Sequence, residues 1–353
     1  MSGRRENWLR AVRFDRPDYI PMNFGLNNAC WHHYPQDALQ ELMATHPLLF
    51  PDFEWTDEPI VPEYSVVQRV DQPFRDDWGC VWQTTDDGIT GTVVVHPLAD
   101  WSALETYEPP DPAKVYGLGP IDWAEVAEHI ATAESEDRVA RGGLRHGHTF
   151  MQLADIRGYQ GLTYDMVDGE PRLWRLIEMV EAFNTGLIER YLALDVQVMA
   201  YPEDLGMQVG PMVSPPHFRK YIQPTYERMM RLARGRGCMI HMHSDGDIRT
   251  LLDDIIGAGV EIMNLQDLVN GVDWIAEHLL NRGICIQLDL DRQRITRFGT
   301  PAEIDALIRY EVERLGSPLG GFMLTFGLYP GTPLENVRAI MDAMERYAFH
   351  FTT

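Results

Sequence analysis

Residues 238–247 read Cys238-Met239-Ile240-His241-Met242-His243-Ser244-Asp245-Gly246-Asp247, and their setting decides the fold. Upstream, a helical pattern runs from Ser214 to Arg234 and is broken by Gly235-Arg236-Gly237. Downstream, a second helical pattern spans Ile248 to Ala258. The stretch therefore reads as a short buried strand between two helices, running into a turn. A strand alternates its faces, so His241, His243 and, where extended backbone persists, Asp245 fall on one side. Two imidazoles and a carboxylate at a strand end form a metal site or an acid–base site.

Working outward, the same alternation recurs. The pattern predicts helices over Asp122–Glu136 and Leu173–Leu194, with strands over Gly142–Phe150 and Asp195–Ala200. Toward the C-terminus the pairs are Val260–Leu265 with Val272–Leu280, Ile284–Leu290 with Pro301–Leu315, and Gly321–Thr325 with Leu334–Tyr347. A first strand is expected within Asp18–Gly25. Repeated strand–helix units on short loops call for a parallel sheet, and this many favour a closed (β/α)8 barrel. Between residues 70 and 100 the pattern changes to short alternating segments around Asp86-Asp87-Gly88, which predicts an inserted β-hairpin. The chain is expected to be one domain over 1–353, with that hairpin as an excursion.

Composition narrows the function classes. With 30 Lys and Arg against 53 Asp and Glu, the net charge of −23 repels phosphate backbones and argues against nucleic acid as a partner. No apolar run approaches the roughly 20 residues of a membrane span. The first residues, Met1 to Asn7, lack an apolar signal core, so a cytoplasmic protein is expected. Cys30, Cys80, Cys238 and Cys285 are scattered, which suits reduced thiols rather than a disulfide framework.

In a barrel of this kind the chemistry sits at the C-terminal ends of the strands. Those ends place Asn27, His146, His148, Glu203, Asp204, His243, Asp245, Gln266, Asp289 and Tyr329 at the mouth. His146 and His148 are expected to share a strand face, while adjacent Glu203 and Asp204 cannot both point to the axis. Each has a plainer alternative. His241 can be a core histidine, Asp245 can cap the following helix, and Gln266, Asp289 and Gln293 can satisfy loop backbone.

Taken together and in order, several runs resemble the uroporphyrinogen decarboxylase superfamily over about residues 140–345. They are Glu203-Asp204-Leu205-Gly206-Met207-Gln208, Val213-Ser214-Pro215, Tyr221-Ile222-Gln223-Pro224, His243-Ser244-Asp245-Gly246, Asp289-Leu290-Asp291-Arg292-Gln293, Phe298-Gly299-Thr300-Pro301 and Pro330-Gly331-Thr332-Pro333-Leu334-Glu335-Asn336. The resemblance implies a (β/α)8 barrel, a homodimer, and one of two chemistries: cofactor-free decarboxylation of porphyrinogens or zinc-dependent methyl transfer linked to a corrinoid. The decarboxylases carry arginines after the first strand to hold substrate carboxylates. Here that stretch is Asn23-Phe24-Gly25-Leu26-Asn27-Asn28-Ala29, without arginine.

The methyltransferases place zinc on a His-x-Cys pair and a later cysteine. The family histidine falls on His243, the first cysteine on Asp245, and the later cysteine near Phe326. The resemblance, so altered, implies a divalent metal such as zinc held by His243 and Asp245 with His241 and Glu203 assisting. It implies catalytic roles for Glu203, His241 and Asp289, and substrate contacts from Asn27, His148, Gln266, Gln293 and Tyr329. The expected activity is metal-dependent methyl transfer, a corrinoid-linked demethylation of a small methoxylated or methylated substrate. The chain has no Asp-x-His-x-x-Gly signature, so a corrinoid would arrive on a separate protein. The alternatives are a metal-independent decarboxylase or lyase and a non-catalytic barrel that binds a corrinoid protein or small ligand.

Overall fold

Ten strands form along the chain in the computed structural model, which describes residues 2–352. They are β1 (Met22–Leu26), β2 (Phe74–Arg75), β3 (Val81–Gln83), β4 (Thr92–Val95), β5 (Arg141–Gly143), β6 (Val198–Pro202), β7 (Met239–Ser244), β8 (Ile262–Gln266), β9 (Cys285–Asp289) and β10 (Phe322–Leu328). The chain folds as two compact units. One takes the chain up to Ser65, the short piece Asp87–Ile89, and everything from Asn264 onward; the other holds Val66–Asp86 and Thr90–Met263.

In the second unit β5, β6 and β7 pair in parallel, with Gly143 opposite Ala200 and Ala200 opposite His241. The helix Arg172–Leu192 packs on β5, and it can do so closely because residue 142 is glycine: a Cβ there would stand 2.6 Å from the Tyr191 ring. β2, β3 and β4 make a separate antiparallel sheet, a three-stranded meander. Asp76 organises its start, accepting from the backbone N–H groups of Trp78 and Cys80 and from the Trp82 indole at 2.8–3.0 Å. Trp78 and Trp82 are accordingly core residues, 1 % and 8 % exposed.

In the first unit β1 pairs in parallel with β10, and β10 with β9. The helix Pro301–Leu315 opens on a capping box in which the Thr300 hydroxyl and the Glu303 carboxylate each take a backbone N–H, with proline as its first residue. With Leu334–Ala348 it supplies much of this unit's apolar packing. The observed class is thus α/β with parallel strands alternating with helices. Among the described residues, no helix is long and apolar enough to cross a membrane.

Several elements differ from their expected bounds for identifiable reasons. The strand expected over Gly142–Phe150 ends at Gly143, and the chain turns at Gly147, whose φ is 75°. Two helices, Phe150–Arg157 and Tyr159–Asp168, fill the following stretch, where no helix was expected. The expected helix Ile248–Ala258 forms only over Leu252–Gly257, so Asp245 is not its cap. The long pattern from Ser214 passes through a π-helical turn at Phe218–Ile222; Pro224 has no N–H with which to close an α-turn there.

Candidate metal centre

β7 presents alternate residues to its two sides as its sequence demands. Ile240, Met242 and Ser244 are buried, whereas Met239, His241 and His243 are half-buried on the opposite face. Pro202 of β6 lies level with His243, so the residues just after it arrive beside the histidine. Glu203 N–H donates to the His243 carbonyl at 3.0 Å, and Asp204 follows.

The loops after β6 and β7 are locked together. Gly206 N–H donates to the Asp245 carbonyl at 3.1 Å, Leu205 N–H to the Ser244 hydroxyl at 3.0 Å, and Asp247 N–H to the Met207 carbonyl at 2.8 Å. This needs two glycines face to face. Gly246 has φ 80°, and a Cβ on it would stand 2.2 Å from the Gly206 carbonyl carbon. A third loop, after β5, is tied to β6 by Gly147 N–H donating to the Pro202 carbonyl at 2.9 Å, and carries His146.

Asp204 Oδ1 is where these loops converge. It lies 3.2 Å from His146 Nε2 and 3.5 Å from His243 Nε2, and accepts from Asp245 N–H at 3.1 Å. Asp245 Oδ1 is 3.6 Å from His243 Nε2. The ligand atoms of His146, Asp204 and His243 all lie within 4.8 Å of one another. Burial disfavours the Asp204 carboxylate, but hydrogen bonding and charge from His146 and His243 outweigh it and hold the carboxyl well below the usual range.

The donor set can be tested for fit. Ligand atoms about 2.1 Å from a tetrahedral divalent ion lie roughly 3.4 Å from one another, against the observed 3.2 Å from His146 to Asp204, 3.5 Å from His243 to Asp204 and 3.6 Å from His243 to Asp245. Two imidazole nitrogens with one or two carboxylates is a borderline donor set suited to zinc. The residues fit a divalent metal.

The other expected site residues are placed as follows. His241 shares the β7 face of His243 but stands outside the group of close ligand atoms. Glu203 is fully buried and turned to the N-terminus of the helix Phe150–Arg157. Its Oε2 accepts from Thr149 and Phe150 N–H and from the Tyr226 hydroxyl, and its Oε1 from Met151 N–H. Burial pushes its pKa up, against the pull of those four donors. His146 and His148 do not share a face, because the strand ends before them. His146 has a 49 % exposed side chain, whereas His148 is buried beside Tyr201 and Tyr226, with its Nδ1 2.6 Å from the Thr149 hydroxyl. Burial drives the His148 pKa down to about 3, so its ring is neutral.

Asn27, Gln266, Asp289, Gln293 and Tyr329 belong to the other unit. There Asn27 ties its loop together, accepting from Ala29 N–H and donating to the Gly88 carbonyl. Gln266 ends β8 half-buried, and Gln293 N–H donates to Asp291. Arg292 connects two of the expected residues, donating to Asp289 Oδ2 at 3.0 Å with its guanidinium 5.7 Å from the centre of the half-exposed Tyr329 ring. Its signal in the sequence was the alternation of acids and arginine in Asp289-Leu290-Asp291-Arg292.

Two curated relatives, the uroporphyrinogen decarboxylases of two strains of Thermus thermophilus, are each 31 % identical to the chain over 190 residues. That is 51 % of this chain and 50 % of the relative, so the match spans about half the length of either protein. Among solved structures, a methyltransferase from Methanosarcina mazei has the same fold, with TM-score 0.67 and 18 % identity over 98 % of this chain and 99 % of that one. Residues 79–347 match the family described as uroporphyrinogen decarboxylase (URO-D), most of the chain, and the protein therefore belongs to that family.

Proposed function

We propose that the protein is a metal-dependent methyltransferase, acting in corrinoid-linked demethylation of a small methoxylated or methylated substrate. The observation that carries this reading is the convergence of three donors from three successive strand ends: His146 and His243 each stand from Asp204 Oδ1 by about the separation of two ligands on a tetrahedral ion, and the ligand atoms of all three lie within 4.8 Å of one another. Asp245 stands beside them as a further acidic ligand. A bound zinc-like ion would supply positive charge to the atom that gains or loses the methyl group.

The protein's own groups do the rest. Asp204 orients both imidazoles through one oxygen, and the hydrogen bonds between the loops after β6 and β7 keep Asp204 and Asp245 in register. An aspartate where the family's methyltransferases carry a thiolate makes the centre harder, suiting an oxygen-bearing substrate. The same reading includes a (β/α)8 barrel as framework, a homodimer, a cytoplasmic setting and a corrinoid carried on a separate protein.

The test is zinc and cobalt(II) titration of the purified, metal-stripped full chain. Stoichiometric binding that is lost in His243→Ala and weakened, but still measurable, in His146→Ala is expected. Absence of binding, or binding indifferent to both substitutions, sinks the reading; a purely hydrogen-bonded His–Asp–His cluster would give that result. The identity to decarboxylases favours a second reading, metal-independent decarboxylation. Release of carbon dioxide from a carboxylated substrate, unchanged by a chelator, would select it.

A further inference from the structure

Glu203 is a buried acid of the second unit whose carboxylate is engaged by groups other than the side chains of His146, Asp204 and His243. It is 0 % exposed, and its carboxylate takes three consecutive backbone N–H groups, Thr149, Phe150 and Met151, at 2.9–3.0 Å. Tyr226, itself fully buried on the helix Gln223–Arg234, donates its hydroxyl at 2.7 Å. All four partners are donors, so the carboxylate anion is the form that satisfies them and is satisfied by them.

The placement of those donors matters more than their number. The backbone ladder between β5 and β6 continues past the strand through Leu144 N–H to the Ala200 carbonyl and Gly147 N–H to the Pro202 carbonyl, at 3.0 and 2.9 Å. From the next residue but one, the Glu203 side chain takes over the chain's amides, and Asn184 secures the His148 carbonyl at 2.7 Å from the other side. His146 lies within the loop so clamped, and its ring is half exposed. Asp204, its partner at 3.2 Å, is the residue next to Glu203 in the chain. One side chain thus ties the loop of one ligand to the strand end that carries another.

We infer that Glu203 is a positioning residue, whose carboxylate holds the 144–151 loop so that His146 Nε2 stands against Asp204 at ligand spacing. This rests on the metal-centre reading above. It differs from ligation by Glu203 itself, because the oxygens that would bind an ion are already shared among four donors.

A double-mutant cycle on the full chain separates the roles. Glu203→Gln keeps the shape but sets an amide N–H2 against backbone N–H donors. Zinc affinity should fall about 10- to 100-fold, the usual cost of disturbing a group that orients a metal ligand. On a His146→Ala background the same change should have almost no further effect on affinity, because the residue through which Glu203 acts is gone. Equal losses in both backgrounds overturn the proposal, since direct ligation or general loosening would produce them. Tyr226→Phe, the milder variant, should follow the same non-additive pattern with a smaller loss.

Amide hydrogen exchange gives a readout that needs no metal. Protection at Thr149, Phe150 and Met151 should drop in Glu203→Gln, while β6 and β7 keep theirs; unchanged protection at 149–151 overturns the proposal. If the parent chain binds no zinc, the metal-centre reading fails by that result alone, and the exchange comparison still decides whether Glu203 holds the His146 loop.

Discussion

Replacing Glu311 by glutamine should stabilise the protein at alkaline pH and leave it almost unchanged at acidic pH. Glu311 lies on the helix Pro301–Leu315 with no exposed surface, and among the described residues no N–H or O–H donor reaches either of its oxygens. The group it meets is the Asp267 carboxyl, also buried, so the bond between them requires a proton on Glu311. Burial pushes Glu311 well above the usual range, with the charges of Asp267 and Asp291 adding to it. Burial likewise raises Asp267 from 3.8 to about 6, offset in part by the bond from Glu311 and by the N–H groups of Leu268 and Asp291.

The sign follows from linkage. A carboxyl whose folded pKa is raised contributes stability that is complete below its ordinary value and is lost as pH rises through the folded value. For Asp267, moved from 3.8 to about 6, the loss is roughly 3 kcal/mol at 1.36 kcal/mol per pH unit. Glu311 extends the loss to higher pH. Glutamine donates the same hydrogen bond without a titrating proton, so Glu311→Gln should recover Glu311's own share at pH 8, about 1.36 kcal/mol for each pH unit by which burial raises that carboxyl, and little at pH 4.5, while the loss from Asp267 stays in both proteins. Thermal or urea unfolding of both proteins at the two pH values measures it. A gain equal at both pH values, or a loss at pH 8, would refute the shared-proton account. The cluster bears on the strand ends as well. Asp267 accepts from Asp291 N–H, and Asp291 in turn holds the N–H groups of Gln293, Arg294 and Ile295.

Three further outcomes follow from the second unit. Gly246→Ala places a Cβ 2.2 Å from the Gly206 carbonyl carbon at φ 80°; unfolding should show a loss above about 2 kcal/mol, and a neutral result would mean the two loops separate freely. On the proposed metal-centre reading, Asp245→Cys sets a thiolate beside His243, so competition titrations should shift in favour of zinc and cadmium over cobalt(II); an unaltered order would place Asp245 outside the reach of the proposed ion. Tyr226→Phe removes a hydrogen bond to a buried carboxylate and should cost about 1.5–3 kcal/mol of stability, read by denaturant unfolding; a cost near zero would mean the hydroxyl bond is not formed.

Much of the architecture was legible because the period of apolar residues is a local property. The β7 stretch shows this: two positions apart, His241 and His243 had to share a face whatever surrounded them. Where backbone geometry intervened, period alone misled. A glycine at 147 can turn the chain where a strand pattern continues, and so His146 and His148 part company. The two helices after Thr149 were hidden for a related reason: the first is seeded by a carboxylate more than fifty residues away in the chain, not by a local cap.

What the sequence by itself determined, then, is the alternation of helices and parallel strands and the family to which its motifs belong. Periodicity and short motifs hold that information within a few residues. Only the tertiary structure decided that His146 and Asp204 come to lie beside His243 while Glu203 turns inward. Glu203 and Asp204 follow directly on the end of β6, where one turns inward and the other toward the histidines, and nothing local says which. That choice depends on which partners the neighbouring strands bring: donors of a helix N-terminus for Glu203, imidazoles for Asp204. The opening histidines lie at one strand end, and only the tertiary structure sets the two neighbouring strand ends beside it.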